Sequence, residues 1–364
     1  MHSNKTEEIY RWLRDLIAEH KLEYRYRLPS ERAAAQRFGC SPACAKSAFL
    51  KLEEEQFIVR TRGSGSYLNT KFLLSGKNPD NLLAPRIAVL LPMSSSRFLF
   101  AIYQSINEYF RAIDIFCHFF YFRNREEEDC LLRMLFEQRY DGVLLYPIES
   151  VVPSASLLEL VRSNFPIVLM DRYFKGLDIY TVSSNHFDCG RKITEYLRNL
   201  GRNHLCFISE APETATSIQH RYSGYNSIVS HDLLLRNGCS ALFYSKNQAE
   251  SFTELLKRHL TMHPQTDAVI TNSGILSVFL LNALKDLGRK PGSGVLLALF
   301  DEEIEFDQFI DFSYLKINQQ PKRIGQLSAK LLYSLLTGNP SAEKVHCVST
   351  SIELINGPIG SPAQ

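Results

Sequence analysis

Polar and aromatic residues recur directly behind the apolar runs in the C-terminal three quarters of this 364-residue chain. Ser94 and Phe98 follow residues 87–91, Tyr146-Pro147 closes 142–146, and Asp171-Arg172 follows 167–170. Asn272, Asp301 and Gln320 stand after the runs at 268–271, 295–300 and 314–318. Carboxylates and amides can clamp adjacent hydroxyls while a ring packs on C–H surface, so this set suits a neutral polyol or sugar. A second set, near the N-terminus, is cationic and rich in glycine: Lys46 and Lys51 beside Ala43 and Ser47, then Arg60 and Arg62 around Gly63-Ser64-Gly65. That is the chemistry of a groove edge and its phosphates. Each set has a plainer reading. Polar residues begin loops in any α/β protein, and residues 1–70 hold twelve Lys/Arg against nine Asp/Glu, an excess of only +3, with 29 against 30 in the rest.

Enzyme chemistry finds little support. His118, His186, His204 and His231 do not stand with Cys, Asp or Glu at metal-ligand or triad spacing, and there is neither a Gly-x-Ser-x-Gly elbow nor a phosphate-cradling glycine loop. The eight cysteines are scattered, with Cys40 and Cys44 as the one close pair and no second pair at zinc-finger spacing. Reduced, packed thiols are expected, with no catalytic residue, metal or cofactor. Glu126-Glu127-Glu128-Asp129 reads as the solvated first turn of a helix, where acidic groups favour the positive dipole end.

The elements that must carry the cationic set are legible. Ile9, Trp12, Leu13, Leu16 and Ile17 form one apolar face at helical period. Pro29 keeps Leu28 out of a helix, Ser30 can cap a second helix over 31–38, and Gly39 ends it. A third helix is expected over 42–56, capped by Ser41, with Pro42 where a missing N–H costs nothing and with Ala45, Ala48, Phe49 and Leu52 inward. The face bearing Ala43, Lys46, Ser47 and Lys51 is then free to meet a major groove. Residues 57–60 and 66–68 read as strands of a hairpin, the wing, whose tip Arg62-Gly63-Ser64-Gly65 tolerates positive φ.

Residues 71–85, polar with Gly and two Pro, read as a linker between a 1–70 domain and an 86–364 domain. Beyond it, apolar runs at 87–91, 115–121, 142–146, 167–170, 205–208, 268–271, 295–300 and 314–318 alternate with helical segments, the pattern of parallel strands buried on both faces. About ten strands are too many for one compact sheet, so two Rossmann-like lobes are expected. Ligands of such sheets sit outside the carboxyl ends of the strands. No apolar run approaches the ~20 residues of a membrane span.

The segment from Leu28-Pro29-Ser30-Glu31-Arg32 through Gly39 to Arg62-Gly63-Ser64-Gly65 resembles the winged helix-turn-helix of the GntR regulators. That resemblance implies DNA contacts by Arg32, Ser41, Lys46 and Gly65, with Arg62 beside them at the wing. Pro42 stands where the family places an arginine. Residues 86–355 resemble the LacI-type effector domain, which has the periplasmic-binding-protein fold, through Tyr140-Asp141-Gly142, Pro166 to Arg172, Asn185 with Gly190, Leu200-Gly201-Arg202, Arg221-x-x-Gly224-Tyr225, Thr271-Asn272, Phe300-Asp301 and Gln319-Gln320-Pro321. It implies effector contacts by Asp171, Arg221, Asn272 and Asp301, and by Phe98 and Gln320. Ser273 and Glu302 depart from the family's aspartates.

The combined expectation is an α/β protein: an N-terminal winged helix-turn-helix domain plus two Rossmann-like lobes. It would be a cytoplasmic homodimeric repressor, reading near-palindromic double-stranded operator DNA under control of a small-molecule effector, a monosaccharide first. The alternatives are a DNA-binding domain fused to an enzyme-like module, for which the chain is short, and a sugar-binding protein without DNA binding, for which an arginine-flanked glycine hairpin has no purpose.

Overall fold

The computed structural model describes residues 5–20, 26–61, 64–69, 85–94, 96–138, 140–148, 151–245, 251–300 and 310–355. The wing residues Arg62 and Gly63, nearly all of the expected linker 71–85, and Asp301 with Glu302 lie outside them.

In the head, α1 (Lys5–His20) buries Ile9, Leu13 and Ile17 against α3 (Pro42–Glu54), whose inner face is Ala45, Ala48, Phe49 and Leu52. Ser30 caps α2 (Glu31–Phe38) by accepting from the Ala33 N–H at 3.1 Å, and Ser41 caps α3 by accepting from Cys44 N–H at 3.3 Å. Gly39 turns the chain between them with φ 59°. α3 ends at Glu54 rather than 56, because Gln56 takes φ 61° and turns Phe57 into the core. β1 (Ile58–Thr61) and β2 (Gly65–Leu68) pair antiparallel as the wing, and a bridge from Arg27 to Tyr67 adds a third short edge.

Two six-stranded sheets follow, twelve strands among the described residues where about ten were expected. The first consists of β3 (Ile87–Pro92), β4 (Cys117–Phe122), β5 (Gly142–Leu145), β6 (Ile167–Met170), β7 (Tyr180–Ser184) and β13 (Val345–Val348), all parallel, in the order 13-7-6-5-3-4. The second consists of β8 (Leu205–Glu210), β9 (Ser240–Tyr244), β10 (Ala268–Thr271), β11 (Leu296–Leu299), β12 (Tyr314–Asn318) and β14 (Ser351–Ile355), in the order 14-12-11-10-8-9, with only β14 antiparallel. Helices cover both faces of each sheet, which is why β5, β6, β10 and β11 are buried at every position.

Around the first sheet, α4 (Arg97–Arg111) and α12 (Pro321–Leu336) share one face, and α5 (Arg125–Glu137) and α6 (Ala155–Arg162) the other. On the second sheet, α7 (His186–Asn199) and α8 (Thr216–Val229) oppose α10 (Phe252–Met262) and α11 (Gly274–Asp286), with α9 (Leu233–Gly238) beside α8. The chain passes between the lobes three times, at residues 184–186, 318–321 and 348–351. α7 and α8 approach so closely that a Cβ on Gly190 would stand 2.0 Å from the Arg221 carbonyl oxygen, and one on Gly224 2.1 Å from that of Phe187. Only glycine fits at either point.

The acidic run is not the solvated turn expected from sequence. Asn124 caps α5 and Glu127 is held by Arg123, but Glu128 is buried and accepts from the Ile148 N–H at 2.8 Å, while Asp129 accepts from Ser156 N–H at 3.0 Å. These two carboxylates staple α5 to the loop after β5 and to the first turn of α6. All eight cysteines are free, and Cys130 and Cys347 are exposed.

Candidate functional site

The residues at the strand ends meet at the crossings between lobes. From the first lobe, the Tyr146 hydroxyl donates to Asp171 Oδ2 at 2.9 Å, and Phe98 sets its edge to the Tyr146 ring at 6.4 Å between centroids. Arg172 lies over the other part of that ring, 5.1 Å from its centre, and donates to the carbonyls of Pro147 and Ile148. Asp171 follows β6 with φ 63°, a left-handed conformation that aims its carboxylate inward, where it is 1 % exposed.

From the second lobe, Arg221 of α8 is also buried and reaches across three elements. Its Nη1 donates to Asn272 Oδ1 at 2.7 Å, its Nη2 to Gln319 Oε1, and its Nε to His186 Nδ1 at 3.4 Å, while Phe300 lies under the guanidinium at 4.4 Å. Arg221 can only donate, so the His186 nitrogen facing it accepts and the ring proton belongs on Nε2. That nitrogen lies 2.9 Å from the Asp171 carbonyl oxygen and 3.3 Å from Oδ1. His186 thus joins Asp171 of the first lobe to Arg221 of the second. Burial pushes the Asp171 carboxyl up, but the hydrogen bond from His186 and the charges of Arg221 and Arg172 outweigh it and hold the group below the ordinary carboxylate range.

Phe98, Asp171, Arg221 and Asn272 therefore belong to one continuous cluster, with Asn272 also near Glu210 at 3.5 Å. Gln320 sits apart in its contacts: it has φ 52° before α12, and its side-chain amide donates to Ser349 O at 2.9 Å, tying the second crossing to the third. Asp301 lies outside the described residues. Sequence reading assigned no role to His186, or to Gln319 although it stands in the Gln319-Gln320-Pro321 landmark, and these residues join the cluster only through separations of 15, 35 and 98 residues. Beside the cluster, Tyr173 of the first lobe meets His220 of α8 ring edge to ring at 5.8 Å, and Thr216 donates to the Tyr173 carbonyl at 3.0 Å.

On the head, Arg32, Ser41 and Lys46 are exposed, and Lys46 has no ion-pair partner among the described residues. Gly65 has φ 127°, and a Cβ there would meet the Arg27 guanidinium at 3.1 Å, so the exposed Arg27 lies under the wing tip. Arg27 is a further cation at this edge that sequence reading did not single out. Two expected cations are occupied instead. Arg60 pairs with Glu31 and, at 3.6 Å, with Glu53, so it fastens the wing to α2 and α3. Lys51 lies 3.8 Å over the Tyr10 ring and 3.4 Å from Glu7, so it leans on α1 while its side chain stays partly exposed.

Comparison with known proteins fits both parts. The protein named "Probable HTH-type transcriptional repressor ExuR" of Bacillus subtilis (strain 168) is 24 % identical over 209 residues, 57 % of this chain and 61 % of its own length. The arabinose metabolism transcriptional repressor of Halalkalibacterium halodurans is 22 % identical over 187 residues, 49 % of this chain and 48 % of its own. The chain thus spans between half and three fifths of the length of these relatives. Among solved structures, the transcriptional regulator CelR in its cellobiose complex superposes with a TM-score of 0.64 at 17 % identity, over 89 % of this chain and 94 % of that one. No described helix is long and apolar enough to cross a membrane. Residues 5–68 match the family model of bacterial regulatory proteins, gntR family. Residues 87–340 match that of the periplasmic binding protein domain, and the chain belongs to this family, with a winged helix-turn-helix head of gntR type in front of it.

Proposed function

We propose that the protein is a sequence-specific DNA-binding transcriptional repressor whose operator affinity is set by a small molecule bound between its two lobes. The observation that carries this reading is the Asp171–His186–Arg221 connection, because it places polar groups of both lobes in one buried cluster at the points where the chain crosses. A ligand that replaces some of these bonds changes the preferred angle between lobes, and a change of angle is what a DNA-bound pair of heads would sense. The effector is a monosaccharide or short saccharide; the relatives' names, an arabinose metabolism repressor and a regulator in complex with cellobiose, support that class. The protein acts in the cytoplasm as a homodimer paired through residues 86–364, with residues 1–70 on near-palindromic operator DNA and 71–85 as linker.

DNA contacts are assigned to Arg32, Ser41, Lys46, Arg62 and Gly65, joined by Arg27. Effector contacts are assigned to Phe98, Asp171, Arg221, Asn272 and Asp301, with Gln320 acting on the crossing. The test is selection of duplexes from a random pool, followed by titration of the selected DNA complex with a saccharide panel. An enriched two-fold sequence whose affinity shifts ~5–150-fold with one saccharide supports the reading. Recovery of no sequence above background would overturn it.

A further inference from the structure

At the pole of the second lobe away from the crossings, a cavity of about 410 Å³ is bordered by Leu281 and Lys285 of α11, Arg289, Lys290 and Pro291 of the next loop, and Phe312. That loop precedes β11 and Phe312 precedes β12, so the cavity opens at the amino ends of parallel strands, whereas Asn272 and Gln319 follow the carboxyl ends. It is a different place from the effector cluster. Its volume falls within the range of small-molecule pockets, roughly 300–1,000 Å³.

Three cations border it, none with an ion-pair partner among the described residues. Lys285 and Lys290 are exposed, and among the described residues no carboxylate pairs with either of them or with Arg289. Asp286, the adjacent acid, is held by Lys257 at 3.2 Å. Arg289 is half-buried: its Nη2 donates to the Thr266 carbonyl, but Nη1 is closed off from solvent and has no hydrogen-bond partner. Burial pushes this guanidinium's pKa down, the mark of a charge in surroundings that penalise it. The carbonyls at the end of α11 offset about half a charge. Leu281, Pro291 and Phe312 supply an apolar wall beside it.

We infer that this cavity is a second ligand site, for a small organic anion whose carboxylate or phosphate lies among Lys285, Arg289 and Lys290 and whose apolar part packs on Phe312. A planar guanidinium flanked by two ammonium groups is suited to both anions. The site goes beyond the effector reading and does not depend on it.

Calorimetric titration of the full chain with phenyl phosphate, with phenol as the neutral control, tests it at about 0.15 M salt. Saturable binding of phenyl phosphate is expected, with none for phenol. The double variant Lys285→Gln/Lys290→Gln changes two exposed side chains and should fold; it should bind at least about tenfold more weakly, since each lost charge-assisted contact is worth that order. Arg289→Lys keeps the charge, loses the fork and should weaken binding similarly. Binding in the effector cluster instead would survive the double substitution. The inference is overturned by no saturable heat up to roughly 10 mM, the weak end of specific recognition, by phenol binding as tightly as phenyl phosphate, or by unchanged affinity in the double variant. None of these results would disturb the DNA-binding reading.

Discussion

Arg221 commits at least three of its five N–H donors to protein groups, Asn272, Gln319 and His186, and all three acceptors are buried or nearly so. Arg221→Ala should therefore do two separable things. It leaves several buried acceptors without a donor, at roughly 1–3 kcal/mol each, so denaturant unfolding should show a loss of a few kcal/mol. It should also abolish the saccharide response while the head still binds DNA; loss of DNA binding in a folded variant would make the residue purely structural. Arg221→Lys should recover part of the stability and not the response, because one ammonium cannot serve three directions. Lys46 belongs to the other function. Lys46→Ala should lower operator affinity about tenfold at ~0.15 M salt and reduce the salt slope by about one, with stability unchanged. An unaltered affinity would show that α3 does not present this residue to DNA.

The caps and strands of this fold were written in local residue choices, and the elements that escaped notice are those where the choices are mixed. Ser30, Gly39, Ser41 and Pro42 place α2 and α3 almost to the residue, and β3, β5, β6, β10 and β11 are apolar runs because both faces are covered. β9, β13 and β14 are strands paired on one side only and partly exposed; polar residues interrupt β13 and β14, while β9 carries the short apolar run Ala241–Tyr244 that sequence reading passed over. β7 buries Thr181, Ser183 and Ser184 as it runs toward the crossing. The candidate cluster was legible to a similar depth: the strand-end rule singled out Phe98, Asp171 and Asn272, which the fold brings together, but His186 and Gln319 join them only through what folds beside them. At this scale the α7–α8 contact makes a firm prediction. Gly190→Ala or Gly224→Ala forces backbone apart at the point that seats Arg221, so a loss of about 1–3 kcal/mol in unfolding free energy is expected, together with a weakened effector response. α10 offers a pH test. Burial, with His263 adding to it, pushes His259 down to about 4, where its Nε2 faces Ser240 Oγ at 3.0 Å. The unfolded chain takes up a proton near pH 6.5 that the folded protein refuses, so stability should be full above that value and fall as pH drops toward about 4. His259→Gln should flatten that slope in urea titrations at stepped pH.

For the molecule as a whole, effector binding should appear as global stabilisation, since a ligand at 100 times its dissociation constant adds about 2.7 kcal/mol to the folded state. The melting transition of the lobes should rise with the true saccharide and stay put in Arg221→Ala. The three crossings also impose an order in time. The head is complete once Leu68 has been made, whereas the first sheet waits for β13 and its covering helix α12, which come after the whole core of the second lobe, and the second sheet then waits for β14. On the ribosome, the winged head can therefore fold long before the two sheets behind it are finished. A transcript cut short anywhere between β3 and α12 would release a head coupled to unfinished sheets, blind to the effector.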